Sequence, residues 1–132
     1  MTGLAPATVD RIRRIAASVS GLRVLILFGS RARGDAHTGS DWDFGFIATP
    51  AFDVAALLAV LVEALDAEAI DLVDLERASG LLRYRVARDG DVVFEDEPRL
   101  GERFRLEAVH FWCDAAPVLE RGYRDVLASL PR

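Results

Sequence analysis

Asp41 and Asp43 stand one residue apart where an apolar run begins, ten residues after the Gly29-Ser30 pair that ends another. Successive side chains of a strand point to opposite faces, so the two carboxylates project together while Trp42 turns the other way into packing. Carboxylates side by side repel, and an opposite charge between them is the usual remedy. Mg2+ is a hard cation that takes oxygen ligands and is commonly held by one or two carboxylates together with substrate phosphates. Gly29 lets the chain turn sharply and approach a ligand closely. If Arg31-Ala32-Arg33 forms a helical turn, its free N–H groups and the Ser30 hydroxyl face an incoming phosphate, and Arg31 or Arg33 adds positive charge near it. The stretch from Gly29 to Asp43 therefore reads as a phosphate-plus-metal arrangement. A polar loop joining two core strands would explain the turn, but not two acids opening the second strand.

The elements that must position these residues follow from the periodicity. Val9, Ile12, Ile15, Ala16 and Val19 give one apolar face to a helix over about 6–19, with Pro6 at an early helical position. A strand over 23–28 is apolar throughout and so is expected to be buried on both faces. The second strand runs over 41–48. Asp53 then caps a helix reaching about Ala67, so rich in Ala, Leu and Val that it is expected to pack broadly on a sheet. A third strand covers 70–75, and a helix over 78–87 turns Leu81, Leu82 and Val86 inward. After the Asp89-Gly90 turn, 91–95 form a short edge strand. From Pro98 to Leu130 the pattern is helical, with Pro117 expected to kink or divide it near Ala115. The fold class is α/β (α+β): a mixed, twisted sheet with packed helices and a helical C-terminal segment over 97–132.

Two acids interrupt the third strand. Asp71 and Asp74 fall on opposite faces, and an acid in an apolar strand is costly unless paired or metal-bound. On that cost Asp71 is the stronger candidate for function. Asp74, near the strand end, is the alternative, with a solvent-facing or capping role expected of it. Arg83, Arg85 and Arg88 are positioned to reach a nucleotide or a partner, or to form a solvated face. His37 in the loop is an exposed histidine, and His110 with Cys113 lacks the further ligands a metal would need.

A chain of 132 residues fits one domain with a proper core. Its hydrophobic share of 52% and charged share of 28% are those of a soluble globular protein. No run is long enough to span a membrane and no signal-peptide core is visible. One cysteine, Cys113, excludes an internal disulfide and fits a reducing cytoplasm. Acids outnumber bases, 21 to 16, for a net charge of −5, which argues against nucleic acid as the acceptor.

On Gly29-Ser30, the ten-residue gap and Asp41-x-Asp43, with a strand on each side, the chain resembles the nucleotidyltransferase superfamily headed by DNA polymerase beta. Within it, the chain looks most like the minimal nucleotidyltransferase (MNT) proteins, the MntA-type antitoxins. The resemblance implies transfer of AMP from ATP, with Gly29 and Ser30 gripping the triphosphate. It also implies two Mg2+ ions on Asp41 and Asp43, and a third carboxylate on a neighbouring strand, matched here by Asp71, that helps deprotonate the acceptor hydroxyl. Larger relatives that modify antibiotics carry a second domain to hold the drug. This chain has only a helix, an edge strand and a helical tail after its third strand. The resemblance therefore implies a protein acceptor, a tyrosine of a HEPN-domain RNase toxin. Two other readings stand beside it. One is an antitoxin that masks its toxin by binding alone. The other is an adenylyltransferase for a small molecule such as an aminoglycoside.

Overall fold

The structure, a computed structural model, describes residues 4–35, 41–67 and 69–130. Its elements in chain order are α1 (Pro6–Ala17), β1 (Leu22–Phe28), α2 (Ser30–Arg33), β2 (Trp42–Ala48), α3 (Val54–Leu65), β3 (Ile70–Asp74), α4 (Gly80–Asp89), β4 (Asp91–Glu95) and α5 (Leu100–Ser129). The strands form one sheet in the order β3-β2-β1-β4. β1 is antiparallel to both β2 and β4, whereas β3 runs parallel to β2, with α3 as the crossover that a parallel pair requires. β4 lies at the edge, where the sequence put it.

Alternation along the strands divides the core into two layers. Leu25, Leu27, Phe44, Phe46 and Val93 point to one face and pack with Ile12 and Ala16 of α1 and Leu57 and Leu61 of α3. Val24 and Ile26 point to the other and pack with Val86 and Ala87 of α4 and Phe104 and Ala108 of α5. β1 is thus buried on both faces, as its unbroken apolar run requires. A register shift between Leu22 and Val24 puts these two residues in different layers despite their even spacing.

Local signals set the helix starts. Pro6 opens α1, the Asp53 carboxylate accepts from Ala56 N–H at 3.1 Å, and the Ser79 hydroxyl accepts from Leu82 N–H at 3.2 Å. Glu95 at the end of β4 accepts from the N–H groups of Arg99 (3.3 Å) and Gly101 (3.0 Å), turning the chain into α5. Arg105 then donates to the Gly90 carbonyl at 2.9 Å, pinning α5 to the end of α4.

Three expectations fail here. α3 buries only Leu57 and Leu61 and leaves Val54, Leu58 and Val62 exposed, because one helix face is all the sheet covers. Leu81 is likewise exposed, whereas Val86 is buried and Leu82 packs against the core as expected, with Ala87 beside them. Pro117 does not divide α5, which runs unbroken for 30 residues. Much of that helix stands clear of the domain, so the carbonyl that the proline ring leaves without an N–H partner faces water.

Phe44 is fully buried at the centre of the sheet. Phe44→Ala is expected to cost about 3–5 kcal/mol of stability, the usual penalty for emptying a large core site. Urea denaturation measures it.

Candidate active site

The register of the sheet brings the acids together. Phe28, the last residue of β1, is opposite Asp43, and Asp43 is in turn opposite Asp71 on β3. Directly paired residues project to the same face, so these two carboxylates stand side by side on strands about 4.8 Å apart. Asp41 is exposed just ahead of β2. Burial, then the charges of Asp71 and Asp41, push the Asp43 carboxyl above its ordinary range, while Arg33 pulls the other way. Like charges held close raise a carboxylate pKa in this way. Asp71 is exposed rather than buried, so the cost of burial does not single it out. Its register position beside Asp43 does. Asp74 projects to the opposite face, accepts from Glu76 N–H at 3.0 Å and lies 3.8 Å from Arg77.

Gly29 joins β1 to α2 at φ 74°, ψ −159°, a backbone region open essentially to glycine alone. A Cβ at this position would run into the Asp43 carboxylate. The glycine of the signature thus serves the second acid as well as the turn. Ser30 opens α2, a single turn closed by the Ala32 and Arg33 N–H groups on the Gly29 carbonyl at 3.2 and 3.1 Å. Gly34, left-handed at φ 84°, ends it by donating to the Ser30 carbonyl.

The arginines divide. Arg31 lies over the Trp42 ring at 4.1 Å, and Trp42 stacks with Phe44 in the core layer of α1 and α3. Arg33 donates to Asp35 at 3.3 Å and is the arginine whose charge acts on Asp43. Across the site, Arg88 forks onto Asp89 at 2.9 and 2.8 Å and holds that carboxyl below its ordinary range, with Arg33 and Arg85 adding smaller pulls. The C-terminal end of α4 therefore faces the signature turn. Arg83 instead lies 5.5 Å over Phe104. His37 falls outside the described residues, and His110 and Cys113 are exposed on α5.

All three candidate donors are carboxylates, the ligand type that Mg2+ takes. Among the described residues no group of three or more His, Cys, Asp or Glu side chains is placed to enclose a metal by itself. The sequence did not disclose the Gly29–Asp43 contact or the proximity of α4 to α2. The first arises from strand pairing and the second from the packing of α4 on the sheet, and the only hint was a glycine at the end of a strand.

The chain was compared with known proteins. The model of the family described as polymerase beta, nucleotidyltransferase, matches residues 10–99. Protein adenylyltransferase MntA of Aphanizomenon flos-aquae (strain 2012/KM1/D3) is 32% identical over 96 residues, a match spanning 63% of this chain and 63% of that protein. A toxin-antitoxin crystal structure with AMP-PNP superposes with a TM-score of 0.65 at 26% identity, covering 91% of this chain and 99% of that one. An MNT antitoxin in complex with the tri-AMPylated HEPN toxin of Shewanella oneidensis shares the fold, with a TM-score of 0.61 at 24% identity over 89% of this chain and 97% of that one.

Two outcomes follow from the crowded carboxylates. Gly29→Ala is expected to lose about 1–3 kcal/mol of stability from the forbidden backbone region alone, measured by urea denaturation. Asp43→Asn is expected to raise the melting temperature by a few °C at pH 7 without divalent cation, the scale for relieving one half-exposed like-charge pair. Because folding raises the Asp43 pKa, its ionisation costs stability above that pKa, and the cost vanishes as the pH falls toward the unfolded value. The advantage of the variant should therefore shrink on acidification; a constant difference down to pH 3 would refute this account.

Proposed function

This chain belongs to the polymerase beta nucleotidyltransferase family, and we propose that it transfers AMP from ATP to a tyrosine of a HEPN-type RNase toxin, acting as the toxin's antitoxin. The observation that carries the reading is the Asp43–Asp71 pair, in register on adjacent strands with Gly29 against it. The 32% identical relative named as a protein adenylyltransferase supports the reaction, and the toxin-antitoxin structure with AMP-PNP supports the nucleotide and the setting.

In this reading Asp41, Asp43 and Asp71 hold Mg2+. Bound there, Mg2+ supplies positive charge to the triphosphate and to the attacking and leaving oxygens of an in-line displacement. The backbone at Gly29 and the Ser30 hydroxyl, at the start of α2, receive the triphosphate. Arg33 offsets negative charge at the leaving pyrophosphate, and Arg31, stacked on Trp42, steadies the turn. Asp71, exposed at the sheet's edge strand, accepts the proton of the acceptor hydroxyl. The phenolic oxygen bonds to the α-phosphorus, the bond to the β,γ-pyrophosphate breaks, and an AMP ester of tyrosine is the product. No helix among the described residues is long and apolar enough to cross a membrane. We place the protein in the cytoplasm, where ATP and an RNase toxin meet.

The test is α-labelled ATP with Mg2+ and the purified toxin. Label should appear on the toxin, and Asp41→Asn or Asp43→Asn should slow it by about a thousandfold, the several kcal/mol that metal-assisted charge stabilisation contributes. If either variant still neutralises the toxin fully, the chain masks its partner and does not need to modify it. Label on an aminoglycoside with none on the toxin would move the reading to a small acceptor.

A further inference from the structure

The most prominent surface that the fold leaves uncovered is the outer half of α5. The face that seats this helix on the domain passes through Gly101, Phe104 and Ala108, which are buried, and reaches Trp112, half-buried against Tyr84. At spacings of three, four and seven, the same face continues through Leu119, Tyr123, Val126, Leu127 and Leu130. There it meets nothing: these five are 51–67% exposed. Among the described residues, seven of the twelve exposed large hydrophobic ones lie from Phe111 to Leu130, so the apolar surface is concentrated here and not scattered. It amounts to on the order of 600 Å2, the top of the range for the largest patch on a monomer and most of what one side of a standard interface contributes.

We infer that the outer half of α5, from Leu119 to Leu130, is the surface that docks the toxin, with its apolar face laid into a groove between two helices of that protein. The partner's identity rests on the function proposed above. Asp41 and Asp71 are exposed at one end of the sheet, so a protein acceptor is held by a surface apart from the carboxylates. A single-helix stripe with anchors at positions i, i+4, i+7 and i+11 suits a helical groove. The charges beside it cancel one another: Arg124 pairs with Glu120 at 2.8 Å, leaving no basic track for phosphates or anionic lipid. The apolar residues of α3 do not compete, since Val54, Leu58 and Val62 are only 37–41% exposed.

The test compares Leu119→Asp/Leu127→Asp, the milder Tyr123→Glu, and Leu58→Asp on α3 as a control. All four sites are exposed, so helix content and melting temperature should stay near those of the parent. Toxin binding is read by calorimetry, and AMP transfer is read against toxin concentration. The double variant should bind the toxin at least a hundredfold more weakly and need correspondingly more toxin for half-maximal transfer, while its limiting rate is retained. Tyr123→Glu should show a smaller loss in the same direction, and Leu58→Asp should match the parent. Unchanged binding by the folded α5 variants would overturn the inference. So would loss of binding in Leu58→Asp. So would a parent dimer that the double variant breaks while toxin binding survives, since the occupant would then be a second copy. A parent that binds the toxin through α5 without modifying it would leave the docking surface standing and sink the proposed transfer.

Discussion

Two carboxylates held side by side against a bare backbone are the constraint on which the rest of this molecule depends. Asp43 lies between Asp71 on one neighbouring strand and Phe28 on the other, with Gly29 tight against its oxygen. Burial, then the charges of Asp71 and Asp41, hold the Asp43 carboxyl above its ordinary range, with Arg33 pulling the other way. A flexible loop would relieve such repulsion by moving apart. Strand pairing does not permit that, because separating Asp43 from Asp71 means breaking the ladder that binds β2 to β3. The sheet thus keeps negative charge concentrated at one end.

The rigidity comes from the two core layers. β1 carries apolar side chains to both faces, so α1 and α3 grip the sheet from one side while α4 and α5 grip it from the other. The strand that ends in Gly29 is therefore the most deeply held in the fold, and the signature turn starts from a fixed point. Gly45 is a smaller instance of the same design: it follows Asp43 on the acid-bearing face, and a Cβ there would meet Leu75 at 2.7 Å. Backbone and side chain pack directly next to the site, which limits how far β2 can shift as ligands come and go.

Most of this arrangement was legible in the sequence, because it is written in short-range pattern. Gly29-Ser30, the ten-residue gap and Asp41-x-Asp43 fixed the turn and the shared face, and the apolar runs on either side fixed the strands. Asp53, Pro6 and the Asp91–Glu95 edge strand were equally local and were read correctly. What escaped depended on partners distant in the chain. The composition of α3 suggested broad burial, yet only the sheet could say how much of it would be covered. Asp71 was chosen on a burial cost it does not incur. It belongs beside Asp43 because a parallel register puts it there, and no register is visible in a single strand. Pro117 was expected to kink or divide the last helix, and α5 runs undivided past it. The pull of Arg33 on Asp89 needed α4 to be folded back over the sheet.

The separation between the acids and the outer half of α5 has a physical rationale of its own. Carboxylates crowded at one end of the sheet offer a protein little apolar surface, so the reacting end contributes little to holding one. Binding energy gained at a remote surface can instead go into fixing the orientation of the acceptor, which is where proximity lowers a barrier. A long helix suits that division. At 1.5 Å per residue, the 30 residues of α5 extend about 45 Å, more than a compact domain of this size needs to cover its own sheet. Its first half closes the second core layer, and its second half carries the same apolar face into solvent. A contiguous exposed apolar face, from Leu119 through Tyr123 and Val126 to Leu130, marks a surface of interaction where scattered single residues would not.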